Sequence, residues 1–321
     1  MKINQQQDAL RSSSTTFDNI SGRFALAFNP DPKRMTRYPL VLVHGDDGRV
    51  FREMRVVHGE VPRMRYPDLY KGLGPQYMRG LAEWANDGSF ADQSAMWMIY
   101  SVSKEDIWVS RIPIPIKPDE TVFPADDFAN LAPGGIIPGW NLYSPRWAPV
   151  TLTARDGRRC LELRDGDPFD YARAVRVFPV SVNPRVEFRI KASQTNALLE
   201  VELCDASGRR PVRMAFAENG RIQAIGGNNR IDIGTYATDA WVAVSLAPDL
   251  AAGTYTVQVN GGEKKSLAVA EKDIRSVERL SFRTGAWRGC GDAAVVEAKS
   301  DVPLLKPAVF LVDRVSIRPL I

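Results

Sequence analysis

Between Lys71 and Pro115 the chain gathers polar and aromatic side chains at a density that strand pairing alone does not need. The stretch K-G-L-G-P-Q-Y-M-R-G is followed by M-W-M-I-Y-S-V-S-K-E-D-I-W-V-S-R-I-P-I-P. Its second half alternates as a pair of β-strands. Yet Tyr100, Ser101, Lys104, Glu105 and Asp106 crowd the turn between them, where Asn-Gly would suffice for a hairpin. Charges of both signs at a strand end, flanked by Trp97, Tyr100 and Trp108, are the ingredients of a sugar subsite. Aromatic faces stack on pyranose rings, while carboxylates and amides bond the hydroxyls. The plainer reading of the same residues is a solvated turn beside a core tyrosine whose hydroxyl is satisfied.

A carboxylate at Glu105 or Asp106 serves as general acid or base where burial raises its pKa, but glycosidic chemistry needs two such groups at a defined separation. Lys71, Gln76, Tyr77, Glu83, Lys104 and Trp108 complete the expected polar and stacking lining. His44 and His58 are the two histidines of the chain. With no partner spacing and no H-E-x-x-H, no catalytic metal is expected. Further on, Trp140, Tyr143 and Trp147 lie in G-W-N-L-Y-S-P-R-W, either a stacking platform or a hydrophobic plug. Asp127 and Asp313 are candidates for a structural calcium if the strands carrying them adjoin, although two carboxylates are few for that ion. No other cofactor is expected.

The elements that must position these groups are read from pattern. At 321 residues and 44% hydrophobic content the chain can bury more than one core. Its 42 basic and 38 acidic residues are interspersed, without the Lys/Arg runs that advertise nucleic acid or an anionic membrane. Cys160 and Cys204 sit in apolar alternating runs and Cys290 makes the number odd, so buried thiols are expected rather than a disulfide framework. No stretch approaches the roughly 18 apolar residues that span a bilayer, and the N-terminus lacks the apolar core of a signal peptide.

Short alternating segments bounded by Gly, Pro, Asn or Asp predict strands over 23–28, 39–44, 50–57, 96–102 and 107–112, with few amphipathic helices anywhere. The run P-I-P-I-K-P-D-E-T-V-F-P from Pro113 reads as an extended connector, placing a boundary near Lys117 to Val122. Beyond it about ten longer strands, with Asp156-Gly157, Asn219-Gly220 and Asn260-Gly261 turns, predict a two-sheet antiparallel sandwich of jelly-roll type. The expected architecture is thus all-β, with domains at 1–118 and 123–321. The segments around Asp126 to Phe128 and Val309 to Ile317 resemble the first and last strands of a concanavalin-like or laminin-G-like module, which implies that they lie side by side.

With His44-Gly45-Asp46-Asp47-Gly48-Arg49-Val50-Phe51 upstream, these residues resemble the sialidase-like, Asp-box family of β-propeller enzymes. Asp46, Gly48 and Phe51 match the box Ser/Thr-x-Asp-x-Gly-x-x-Trp/Phe, with His44 in the Ser/Thr place. The sandwich resembles concanavalin-like or laminin-G-like carbohydrate-binding modules. The resemblance implies that residues 1–118 are the last blades of a propeller, because blades take about 40 to 50 residues and a ring needs at least four. It implies a further N-terminal segment and export to the periplasm or medium, a carbohydrate as partner, and glycoside hydrolysis as the reaction. Under it Tyr100 is the nucleophile, Arg79 and then Arg65 grip a substrate carboxylate through their planar forks, and Glu105 or Asp106 transfers a proton. A propeller lyase acting on uronate glycans would instead employ His58 with Tyr66. A different class of function, binding carbohydrate without catalysis, and an inactive gene remnant are the competing expectations.

Overall fold

The computed structural model describes residues 13–18, 21–30, 37–59, 64–66, 72–81, 95–115, 120–285 and 302–320. They are all-β and fall into two compact units, the first ending at Pro115 and the second beginning at Glu120. No helix among the described residues is long and apolar enough to cross a membrane.

The first unit holds two antiparallel meanders. One runs β1 (Ser13–Asp18), β2 (Arg23–Phe28), β3 (Leu40–Gly45) and β4 (Arg52–His58) in sequence order. The other runs β5 (Pro75–Leu81), β6 (Ala95–Val102) and β7 (Asp106–Pro113). Because strand side chains alternate between faces, β2 and β3 feed two cores. Ala25, Ala27, Leu40 and Leu42 pack with Met78, Met96, Met98, Tyr100 and Val102, whereas Leu26, Phe28, Val41, Val43 and Phe51 form the second cluster. The described residues form no closed ring of blades.

The β3–β4 turn corrects one expectation. Asp47, not Asp46, accepts from the amides of Arg49 and Val50, both at 2.9 Å, and those bonds hold its carboxyl below the usual range. Asp46 instead pairs with Arg23 on the surface at 2.9 Å. Gly45 is required here, since a Cβ would stand 2.0 Å from the Val50 carbonyl oxygen. Phe51 is buried, as the motif requires of its aromatic.

The second unit is a sandwich of two antiparallel sheets. One has the order β10 (Val150–Arg155), β11 (Arg158–Asp165), β22 (Ala308–Pro319), β13 (Pro184–Ala192), β18 (Trp241–Asp249), β19 (Thr254–Val259), β20 (Lys265–Ala268). The short β8 (Ala125–Asp126) pairs with β22, Asp126 facing Val315, so the segments expected at the two ends of the sandwich do adjoin. The other sheet has the order β17 (Asn229–Thr235), β16 (Arg221–Gly226), β15 (Val212–Phe216), β14 (Leu199–Cys204), β21 (Val277–Thr284), β12 (Arg173–Ser181), β9 (Trp140–Tyr143). A single core of alternating residues fills the space between them, with Phe178, Phe188, Phe282 and Phe310 at its centre. The Asp156-Gly157 and Asn260-Gly261 turns have positive φ at both central residues, the geometry that matches strand twist in two-residue hairpins.

The ladder between β13 and β22 is irregular. Glu187 pairs with Ser316 but Arg189 pairs with Asp313, so Arg314 and Val315 oppose Phe188 alone. The resulting β-bulge puts Arg314 at φ +51°, a left-handed conformation that costs free energy for a residue with a Cβ unless its surroundings enforce it.

Candidate functional site

In the first unit the residues singled out by sequence form two clusters. Tyr100 is 2% exposed, in the core, with its hydroxyl 2.8 Å from Ser110 Oγ and 3.1 Å from His58 Nδ1. Burial pushes its phenol up to about 12. The buried His58 ring meets Trp108 edge-on at 5.0 Å and Tyr100 at 5.6 Å. A nucleophile needs access to substrate and a phenol that ionises readily, and this environment offers neither.

The second cluster is built on Glu105, whose side chain is 3% exposed. It accepts from the backbone amide of Arg65 at 2.9 and 3.1 Å and from that of Tyr66 at 2.7 Å. The Arg65 guanidinium reaches Glu105 at 3.5 Å and Asp106 at 2.6 Å. Arg65 is thereby occupied by two carboxylates, and Glu105 fastens a loop to the β6–β7 turn. That turn has Ser103 at φ +52° and Lys104 at φ +56° with no glycine. Ser103 is held there by exchanging bonds with Gly74: its amide donates to the Gly74 carbonyl at 3.0 Å, and its hydroxyl accepts from the Gly74 amide at 3.3 Å. The crowding visible in the sequence thus reflects a strained turn and its fastenings.

Arg79 and Tyr100 are not brought together. Arg79 pairs with Ile99, and because neighbouring positions on a strand face opposite ways, it lies on the other face from Tyr100. Its guanidinium donates to the Met78 carbonyl at 2.9 Å. Gln76 is buried and donates to the Gly72 carbonyl at 3.1 Å, so it lines no open surface. Tyr77, at φ +57° on a bulge of β5, is half exposed, with Arg37 and Lys104 over its ring at 4.9 and 5.9 Å. Lys71 and Glu83 lie outside the described residues, as does Cys290.

In the sandwich, Trp140 resolves as a plug. It packs against Phe128 and Phe282 and donates its indole N–H to Asp126 at 3.0 Å. Tyr143 stacks on Tyr171 at 4.9 Å, and Arg283 lies over the other ring of that pair, 4.0 Å from the Tyr171 centroid. Across the seven-stranded sheet, register aligns Tyr143, Arg173, Arg283, Glu200, Ala215, Gln223 and Asp232. The charges of this polar face engage one another: Glu202 accepts from Arg210 at 2.7 Å with Arg213 3.8 Å away, and Gln223 donates to Asp232 at 3.0 Å.

The open concavity is elsewhere. A cleft of about 770 Å³ lies beside the paired β8 and β22, lined by Asp126, Asp127, Ala154, the β10–β11 turn at Gly157, Arg158, Arg159, Asp313 and Arg314. Asp127 and Asp313, the candidate calcium ligands, do line it together. However, Asp313 is bonded to Arg189 and has Arg158 3.8 Å away, and three arginines share the walls. Those residues do not fit a cation, and no group of three or more His, Cys, Asp or Glu side chains suited to a metal occurs among the described residues. Sequence reading missed the cleft because Arg158 and Arg159 open β11 whereas Arg314 lies mid-strand in β22, and their convergence depends on a bulge with no sequence signature. The Asp156-Gly157 turn that shapes one rim, and the pair Asp127 and Asp313, were the visible signals.

Residues 140–297 match the family model described as Sialidase-like, CBM domain, CBM standing for carbohydrate-binding module. Among solved structures, one titled "Sialidase" is similar over 93% of this chain at 30% identity, with a TM-score of 0.82. The present chain spans 27% of the length of that protein. An alginate lyase of polysaccharide lyase family 7 matches 56% of this chain and 94% of its own at 11% identity and a TM-score of 0.40. A Bacillus licheniformis β-glucanase matches 57% and 94% at 11% identity and a TM-score of 0.38. No curated protein matches the sequence.

Proposed function

We propose that this chain is a carbohydrate-binding part of a larger sialidase-like protein, its sandwich unit acting as the binding module. The match of residues 140–297 to the sialidase-like carbohydrate-binding family carries the reading, and the likeness of nearly the whole chain to part of a sialidase supports it. Fold alone does not assign chemistry, so the site must do so. In the first unit the candidate catalytic groups are engaged in holding the framework: Tyr100 is packed, and Glu105 and Arg65 are bonded to each other. The binding alternative is therefore favoured over catalysis by these groups.

The two meanders fit terminal blades of a propeller. Met54 and Val56 on β4 and Ile107 and Val109 on β7 are exposed apolar residues on outer strands, as expected of blade faces that neighbouring blades cover. In that larger protein, glycoside hydrolysis of a complex glycan outside the cell remains the reaction we favour, with uronate elimination second. The reading is tested by titrating the full chain against a panel of neutral and acidic oligosaccharides by calorimetry. Saturable binding with catalysis absent is the expected outcome, whereas turnover by this chain alone, abolished by Tyr100→Phe, would favour the catalytic alternative.

A further inference from the structure

We infer that the cleft beside β8 and β22 binds an acidic sugar, its carboxylate or sulfate held between Arg159 and Arg314; this rests on the carbohydrate-binding reading above. The inference rests further on the balance of charge on the walls. Three arginines and three aspartates line the cleft, but two of the aspartates are already neutralised. Asp126 accepts from Arg176 Nε at 2.8 Å and from the Trp140 indole, and Asp313 is bonded to Arg189 with Arg158 nearby. Arg176 and Arg189 come from outside the lining, so the local surplus is positive. The guanidiniums of Arg159 and Arg314 have no hydrogen-bonded or ion-paired partner among the described residues.

The geometry brings those two together. Leu161 and Val312 form the last rung of the β11–β22 ladder, and Arg159 and Arg314 stand two residues beyond it on their strands, both lining the cleft. The bulge at Arg314 interrupts regular pairing at this point, and bulges are a recurrent device for re-aiming one residue. Two planar forks in one cleft suit a carboxylate or sulfate, each oxygen pair taking parallel charge-assisted bonds. Asp127 is exposed, with Oδ1 capping the Ala129 amide at 3.0 Å, and its other oxygen can accept sugar hydroxyls. A volume of about 770 Å³ lies in the usual range of ligand clefts.

The test titrates the full chain with three probes: a uronate oligosaccharide, a sulfated one and a neutral one of equal length. Arg159→Gln and Arg314→Gly are compared with the parent; glycine suits the left-handed φ, so the second variant keeps the fold. The expected result is a loss of about tenfold or more in affinity for an acidic probe in each variant, with neutral binding unchanged. Which acidic probe responds distinguishes carboxylate from sulfate. Acidic binding that survives both substitutions overturns the inference while leaving carbohydrate binding intact. Absence of binding to all three probes by the parent overturns both.

Discussion

Glu105 ties down Arg65 at both ends: its carboxylate accepts from the Arg65 backbone amide at 2.9 Å and from the Arg65 guanidinium at 3.5 Å, inside an environment that leaves the acid 3% exposed. A buried carboxylate with this many donors holds a loop. Removing it strands two amides and leaves the guanidinium to Asp106. Glu105→Ala is expected to destabilise the first unit by about 2–4 kcal/mol, read as a shift in denaturant midpoint. Glu105→Gln should cost less, since its carbonyl still accepts. Equal stability of all three proteins would show that the fastening is dispensable.

Tyr100 gives a pH signature. Its folded pKa is raised by burial to about 12 from an ordinary value of 10, so the folded state holds that proton more tightly than the unfolded one. The associated stability is fully present below pH about 10 and is lost as pH rises from about 10 to about 12. Tyr100→Phe should cost about 1–2 kcal/mol near neutrality by removing the hydroxyl's bonds to His58 and Ser110, and should flatten part of that alkaline loss. An unchanged alkaline profile in the variant would place the titration elsewhere.

Cys160 and Cys204 are buried free thiols, raised by burial to about 11 and about 12. Thiolate is the reactive form. In a Cys290→Ser background, a thiol reagent at pH 8 is expected to label neither residue in the native protein and both after denaturation. Rapid native labelling would mean that the sandwich opens readily.

At the β3–β4 turn, Asp47→Ala should lower the melting temperature more than Asp46→Ala, because Asp47 holds two turn amides whereas Asp46 makes one surface ion pair. Because those bonds depress the Asp47 pKa, its contribution is present at neutral pH and fades as pH falls through the carboxylate range. The two variants should therefore converge in acid.

What the sequence made legible was the part set by period and turn chemistry. Strands such as β11, β13 and β21 emerged from alternation, and the paired Asp156-Gly157 and Asn260-Gly261 hairpins from residues that tolerate positive φ. The pairing of β8 with β22 was expected from the resemblance to concanavalin-like modules rather than from pattern. β9, β17 and β20 were missed; β17 alternates only over Ile231 and Ile233, between polar residues and glycine. Site reading failed for a different reason. The same Tyr-Ser and Lys-Glu-Asp residues serve a catalytic rim or a fastened turn, and only burial separates the two: Tyr100 and Glu105 are inside. A one-residue alternation likewise decides that Arg79 faces away from Tyr100, and a bulge in the pairing of β5 with β6 intervenes between them. The Arg159 and Arg314 cleft was invisible because it joins the start of β11 to a mid-strand bulge of β22, far apart in sequence.

The most direct measurement is calorimetric titration of the full chain with neutral and acidic oligosaccharides. Saturable binding to at least one, with no product formed over the titration, is the predicted result. A chain that binds none of them at millimolar ligand would contradict the account.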